Sequence, residues 1–354
     1  MKIASRAALG SLLAVVVAAG IGFLIYTHRP VYRIPSDPER TESLVFFALG
    51  DQGGGSYRQW QVAHGMEALA EERRQLDFVV LMGDNFYGNH VLPIDDPAWR
   101  SRFEHVYAGT YLSVVPYYAV LGNHDHGAGD RAPDSTARAA KHSLAEAQIE
   151  YSRQHAGSNR WRMPDYYYSA DFGSFQGRPL LRVVFIDTSL APDELAKEAE
   201  FIRNKFGGGV GVHDAPVWRV VVGHHPIRSY GAHRDTAPGI AAIILPAMRD
   251  AQVDLYLSGH DHNQQVIVRD GEPFQFINGA GGTALYALKE EAPDLRFARS
   301  GHGFMAANVS ADTFQVGNYD ADGKPVSSFK IDRACPNGRE RCLVATPLPA
   351  QGRY

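Results

Sequence analysis

At 354 residues, with 45% apolar and 21% charged residues, the chain is long enough for one large domain or two modest ones, and its composition excludes long disorder. The formal net charge of −4 argues against nucleic acid as a partner, because binding a phosphate backbone needs a basic surface. Fifteen histidines are a high count, and where they fall matters more than their number.

The N-terminus differs from the rest. Lys2 and Arg6 precede an uncharged run from Ala7 to Tyr26, and Arg29 follows it. A run of about 20 apolar or small residues suits a bilayer span better than the ~7–15-residue core of a signal peptide. The bulky Ile25-Tyr26-Thr27-His28 offers no cleavage site. Residues 1–26 therefore read as an uncleaved membrane anchor, with a removed signal sequence as the alternative. Residues 27–41, rich in proline and charge, read as a linker, residues 42–333 as one domain and 334–354 as a tail.

From Leu44 onward short apolar runs alternate with helical stretches. Leu44–Leu49 ends in Gly50-Asp51, and Arg58–Arg74 then places Val62, Met66, Leu69 and Ala70 on one helical face. Phe78–Met82 ends in Gly83-Asp84, and Tyr117–Leu121 in Gly122-Asn123-His124. Ser135–His155 is a second helix candidate, Tyr166-Tyr167-Tyr168 reads as a strand with aromatic packing, and Leu181–Ile186 ends in Asp187 without a glycine. Asp193 is placed to cap a helix over Glu194–Phe206, and Gly207–Gly211 is a flexible loop. Arg219–Val222 precedes Gly223-His224, and Val253–Ser258 precedes Gly259-His260. Gln265–Arg269 and Phe274–Asn278 flank Asp270-Gly271 as a β-hairpin, and Phe304 to Ile331 is strand-like with turns near Asp312 and Asp322-Gly323. Cys335 and Cys342, the chain's two cysteines, can close a small disulfide loop in an exported protein, against the reading of two free thiols. Leader and cysteine pair together place the domain outside the cytoplasm: periplasmic, secreted or membrane-anchored.

Near-continuous apolar runs suit strands buried on both faces. Open α/β sheets collect their sites at the carboxyl ends of strands, and glycine there permits a sharp turn and a close backbone approach. Five such ends, each delivering a carboxylate, amide or imidazole, would converge on one point. A lone aspartate after a strand is more often a turn residue, so the signal lies in joint occurrence.

The five segments Gly50-Asp51-Gln52-Gly53-Gly54, Gly83-Asp84-Asn85-Phe86-Tyr87, Gly122-Asn123-His124-Asp125, Gly223-His224-His225-Pro226 and Gly259-His260-Asp261-His262, in this order, resemble the calcineurin-like metallophosphoesterases. Asp84-Asn85-Phe86-Tyr87 narrows the resemblance to the purple acid phosphatases of the short, tartrate-resistant acid phosphatase type, over about Leu44 to Gly282. The resemblance implies an α/β fold: a four-layer αββα sandwich of two mixed β-sheets, with a dinuclear metal site on loops at the C-terminal ends of strands. It implies an iron(III) site of Asp51, Tyr87 and His262, a divalent site (iron, zinc or manganese) of Asn123, His224 and His260, and Asp84 bridging the two. Donor chemistry agrees, since carboxylate and phenolate suit a hard trivalent ion and imidazole with amide suits a divalent one. A relative without the tyrosine would carry histidine two residues after the first aspartate; here that residue is Gly53, which leaves Tyr87 a coordination position to fill.

Two ions ~3.5–4 Å apart bind phosphate, lower the pKa of a bound water and stabilise both oxygens of an in-line displacement. The expected reaction is hydrolysis of small phosphomonoesters by attack of metal-bound hydroxide, with His124 and His233 sharing phosphate binding and protonation of the leaving group. Asp125 and Asp261 are expected to accept hydrogen bonds that orient imidazoles rather than to bind metal. His225 occupies a place that often holds tyrosine in the family and is either a substrate contact or a bystander. His90 and His126 read as solvated or as supporting residues, and Asn278-Gly279-Ala280-Gly281-Gly282 as a close backbone approach. Gln52 stands where the family usually has tryptophan, which points to altered packing or substrate contact and not to loss of metal. A phosphodiesterase or nucleotide-specific enzyme is the rival within the class. A non-catalytic iron protein, for redox or as a membrane-tethered module, is the rival outside it, although a pure metal binder has no need of His124 and His233.

Overall fold

A computed structural model describes residues 42–88, 93–127, 135–207, 214–234, 237–288, 291–335 and 341–348. The expected anchor and linker, His90 and most of the Gly207–Gly211 loop lie outside the described residues. In chain order the strands are β1 (Leu44–Leu49), β2 (Phe78–Met82), β3 (Tyr117–Val120), β4 (Trp161–Arg162), β5 (Tyr168–Phe175), β6 (Arg178–Phe185), β7 (Trp218–Val222) and β8 (Leu255–Ser258), followed by β9 (Gln264–Ile267), β10 (Phe274–Asn278), β11 (Leu295–Arg299), β12 (Gly303–Val309), β13 (Thr313–Asp320), β14 (Pro325–Asp332) and β15 (Leu343–Ala345). Four long helices sit between them: α1 (Tyr57–Arg73), α2 (Ser135–Arg153), α3 (Pro192–Phe206) and α4 (Ala237–Asp250).

The strands form two mixed sheets, ordered β15-β14-β13-β12-β1-β2-β3-β4 and β11-β9-β10-β8-β7-β6-β5. In the first, β1 to β4 are parallel and β12 pairs antiparallel with β1; in the second, β6, β7, β8 and β10 are parallel. All the parallel strands therefore end on one side of the molecule. The sheets meet face to face through aromatic contacts: Phe78 of β2 stacks on Phe172 of β5 at 3.9 Å, and Phe314 of β13 meets Trp218 of β7 edge-on at 5.5 Å.

Period-two alternation explains the apolar runs. Val183, Phe185, Val220, Val222, Leu255 and Leu257 point into the core between the sheets. Their neighbours Val184, Val221 and Tyr256 point the other way, into a second core with Leu195, Ile202, Ile244 and Met248 of α3 and α4. Both faces are buried, so both parities are apolar. Each such side chain contributes ~1.5–3 kcal/mol. On the first sheet, α1 buries Val62, Met66, Leu69 and Ala70, the face its spacing indicates, and α2 buries Leu144, Ala145 and Ile149.

Several boundaries differ from expectation. Helix α3 begins at Pro192 with Ala191 as its cap residue, so Asp193 lies inside the first turn, where it favours the helix dipole without capping it. Helix α2 ends at Arg153, and His155 beyond it is left-handed. Of the three consecutive tyrosines only Tyr168 enters a strand; its hydroxyl donates to the carbonyls of Ala119 and Arg162, tying β5 to the first sheet. Helix α4, β11 and β15 carry no local signal that announces them. Cys335 and Cys342 are joined by a disulfide with Cα atoms 5.6 Å apart, beside β15.

Candidate metal centre

Strands β1, β2, β3, β7 and β8 each lead into a polar residue, and at three of these breaks the backbone is forced. Asp51, Asp84 and His260 have φ of 60°, 53° and 65°, a left-handed conformation that costs a residue with a side chain ~1–3 kcal/mol. The loops are stitched together so that the conformations hold. Asp51 N donates to Gly83 O at 3.0 Å, Tyr87 N to Gly53 O at 3.2 Å, and Gly259 N to His224 O at 3.0 Å. The preceding glycines are required by space: a Cβ on Gly122 would meet Asp84 Oδ1 at 2.2 Å, and one on Gly83 would meet the His224 ring at 2.6 Å. That packing is the physical content of the repeated strand–glycine–ligand pattern.

All seven residues singled out as ligands come together, in two groups. Asp51 Oδ1, Tyr87 Oη and His262 Nε2 form a triangle with sides of 3.2, 3.3 and 3.2 Å. Beside it, His224 Nε2 lies 3.0 Å from Asn123 Oδ1, 3.2 Å from His260 Nδ1 and 3.5 Å from Asp84 Oδ1. Asp84 also lies within electrostatic reach of the Tyr87 phenol, so its carboxylate acts on both groups. Donors held about 2.1 Å from one cation at right angles would be about 3.0 Å apart, which is close to these spacings. The donor set fits a pair of cations.

Charge agrees with geometry. Burial, then the charges of Asp51 and Asp125, push the Asp84 carboxyl well above the usual carboxylate range. Burial, then Asp51 and Asp84, push the Tyr87 phenol well above its ordinary value. Burial opposes ionisation of Asp51 too, but the His262 and His224 imidazoles outweigh it and hold that carboxyl low. Burial, followed by the crowd of imidazoles, keeps His260 well below the ordinary histidine value, which leaves its ring neutral and able to donate a lone pair.

Ring orientation comes from the backbone. His224 Nδ1 is 2.9 Å from Met82 O and His262 Nδ1 is 2.7 Å from Ala284 O, which directs both Nε2 atoms inward. Asp125 and Asp261 accept hydrogen bonds, as expected, but from loop backbone and polar side chains and not from imidazole rings. Asp125 accepts from the backbone of Asn85, Phe86 and Gly122 and from the Gln148 side chain; Asp261 accepts from Ser229 Oγ and from Ala232 N. The Asn278–Gly282 loop joins the first motif backbone to backbone, through Gly50 N to Asn278 O and Gly281 N to Gly50 O.

His124 and His233 each border the donor groups, beside different members. His124 is a third exposed, with Nε2 4.0 Å from Asp84 Oδ2 and its ring 4.4 Å from that of Tyr87. His233 stacks on His260 at 4.1 Å. Two neighbours were not foreseen. Tyr286 lies flat on His262 at 4.1 Å and edge-on to His233 at 5.1 Å, and Thr283 bonds through N and Oγ1 to Asp51 O. Neither carries a sequence signal, since both sit in the irregular chain after Gly282. His126 is buried against Asp187 at 2.6 Å, which excludes the solvated reading, and His225 lies beside His260 with ring centroids 4.3 Å apart. Gln52 is buried and donates to Asn85 Oδ1 at 3.0 Å, a packing role.

Comparison with known proteins adds the following. Residues 44–264 match the family model of the calcineurin-like phosphoesterases. Purple acid phosphatase 4 of Arabidopsis thaliana is 29% identical over 91% of this chain and 94% of its own length. Purple acid phosphatase 17 of the same plant is 30% identical over 85% and 88%, and tartrate-resistant acid phosphatase type 5 of Homo sapiens is 27% identical over 83% and 92%. Among solved structures, GAP50, the anchor in the inner membrane complex of Plasmodium, superposes with a TM-score of 0.66 at 24% identity over 88% of this chain and 99% of that one. Purple acid phosphatase PPD1 of yellow lupin (Lupinus luteus) superposes at 0.61 with 15% identity, over 85% and 57%. The structural likenesses establish the fold.

Proposed function

The chain belongs to the calcineurin-like phosphoesterases and, within them, to the purple acid phosphatases, and from that premise we propose that Asp51, Tyr87 and His262 hold iron(III) while Asn123, His224 and His260 hold a divalent ion, with Asp84 shared between them. The protein is an acid phosphatase with a dinuclear metal centre, acting on phosphate esters. The observation that carries the residue assignment is the triangle of Asp51 Oδ1, Tyr87 Oη and His262 Nε2, with every side between 3.2 and 3.3 Å. A carboxylate, a phenol and an imidazole at that spacing suit a hard trivalent ion, whereas an amide and two imidazoles suit iron(II), zinc or manganese.

When bound, such a pair of ions supplies Lewis acidity toward phosphate oxygens and activates water. The chain's own residues do the rest. His124, beside Asp84 and Tyr87, and His233, stacked on His260, border the donor groups and would meet a phosphate bound there. One neutralises charge on the phosphoryl oxygens and the other delivers a proton to the departing alkoxide. Tyr286 stacked on His262 restrains that ring, and His260 N, donating to Asp51 Oδ2 at 2.8 Å, restrains the carboxylate. The apolar run Ala7–Tyr26 and the Cys335–Cys342 disulfide support a domain outside the cytoplasm, tethered to a membrane by its N-terminus.

The test is metal analysis with a visible spectrum. Purified protein should hold two ions per chain, be violet from phenolate-to-iron(III) charge transfer, and hydrolyse an aryl phosphomonoester faster than the diester. Tyr87→Phe should lose the band. A colourless wild-type protein with full phosphatase activity would sink the iron–tyrosinate assignment, and faster diester cleavage would replace the monoesterase reading. Recovery in a carbonate-washed membrane fraction tests the tether, and release of the full-length chain by that wash would refute it.

A further inference from the structure

We propose that His225 supplies a third imidazole donor at the Asn123, His224 and His260 position, biasing it toward a nitrogen-preferring divalent ion such as zinc or iron(II) and away from manganese. The proposal rests on the two-metal reading above and goes beyond its ligand set.

Three histidines meet at this point. His224, His225 and His260 each offer a donor atom, and the three atoms lie within 4.8 Å of one another. The His225 ring centroid is 4.3 Å from that of His260 and 5.0 Å from that of His224. The residue is partly buried.

His225 is also held as ligating histidines are held. Thr188 Oγ1 accepts from His225 N at 2.9 Å and lies 2.9 Å from its Nδ1. With Nδ1–H donated to that oxygen, Nε2 keeps its lone pair, the arrangement that an orienting partner imposes on a metal-binding imidazole. From the other side, the Tyr256 hydroxyl donates to His225 O at 2.6 Å. Thr188 is itself placed by its neighbour Asp187, which accepts from Ser189 N and pairs with His126. Buried backbone amides and carbonyls are paired as a rule, so it is the bond at Nδ1 that marks this ring as oriented.

Imidazole favours zinc, iron, nickel and copper, while carbonyl, carboxylate and water favour manganese and magnesium. Two imidazoles plus an amide form a mixed site, and a third imidazole tips it. The experiment uses the full-length chain carrying iron and zinc. Zinc-edge X-ray absorption should count three imidazoles in wild type and two in His225→Phe, which keeps an aromatic ring and removes the donor. Competitive titration should show the preference for zinc over manganese falling at least about tenfold in His225→Phe. Thr188→Val, which frees the ring to rotate, should lose about tenfold in zinc affinity. The violet band, which depends on Tyr87, should persist in both variants and certifies the fold. Two imidazoles at zinc in wild type, or an unchanged preference in a violet, two-ion His225→Phe protein, would overturn the proposal and leave the two-metal reading intact. A wild-type chain that binds fewer than two ions would sink both.

Discussion

Glu104 and Arg160 form an ion pair at 2.8 Å with both side chains almost wholly out of solvent, and its surroundings meet it on every side. Tyr151 Oη and Ser158 N donate to Glu104 Oε1, and Arg160 donates to the carbonyls of Tyr107 and Leu112 and to Ser158 Oγ. The guanidinium also lies over the rings of Phe103 and Tyr117. The cluster around Asp51 and Asp84 is equally buried but built the other way. Its carboxylates face one another, burial holds the His224 and His260 imidazoles below the ordinary histidine value while Asp51 raises the buried His262, and three of its residues sit in left-handed backbone. The first region is electrically closed in itself. The second becomes closed when cations complete it. Burial of charge thus marks function only where the protein leaves its own charges uncompensated.

The sharpest way to break that contrast is Asp84→Asn. Losing the shared carboxylate should lower kcat more than about a thousandfold, because two cations must be held at once. In chelated protein the same change should raise the urea midpoint, since it removes a buried charge that Asp51 and Asp125 repel. Lower stability of the chelated variant would mean that the cluster is as self-sufficient as the ion pair.

The next effect falls on the other region. Arg160→Met leaves Glu104 as an uncompensated buried charge and should cost about 3–5 kcal/mol of unfolding free energy, with activity per folded molecule retained. Burial alone would raise the Glu104 carboxyl, yet Arg160, followed by the Ser158 hydrogen bonds, brings it below the usual range. A carboxyl lowered on folding contributes stability that is complete above its unfolded value of about 4.3 and is lost as pH falls through the folded value. Wild-type urea midpoints should therefore drop more steeply below about pH 4.3 than those of Glu104→Gln. Parallel acid limbs would show that the pair adds nothing.

The two regions differ as much in legibility as in charge. The ligand cluster announces itself because buried strands must be apolar at both parities and must then break at glycine, so Asp51, Asp84, Asn123, His224 and His260 stand out at the breaks. Tyr87 and His262 follow at short, fixed distances. Arg160 gives no such notice: in sequence it is one more charged residue near a turn, and its burial depends on Phe103, Tyr107 and Leu112 arriving from elsewhere. Helix α4 was illegible for a related reason. Pro246 lies inside it, a residue that normally ends helices, and the helix persists because Ile244, Leu245, Ala247 and Met248 are buried against α3 and the second sheet. Tyr286 and Thr188 are positioned by tertiary contacts alone.

Gln52 tests the contrast most finely, because it adjoins the first ligand yet its Nε2 is tied into a buried hydrogen-bond network. Its Nε2 donates to Asn85 Oδ1, and Asn85 Nδ2 in turn donates to Val120 O and Asp125 Oδ2, with Gln148 bonded to the same aspartate. Gln52→Ala removes one buried hydrogen bond, leaves Asn85 Oδ1 unmet and opens a small void. The expected cost is about 1–2 kcal/mol in urea unfolding, with two ions per chain and kcat within about twofold of wild type. Gln52 bonds to Asn85 and not to the donors, so its loss loosens the floor without removing a ligand. If one ion were lost instead, charge balance at the centre would extend into its hydrogen-bonded floor, and the boundary between the closed and the open region would have to be redrawn beyond Asn85.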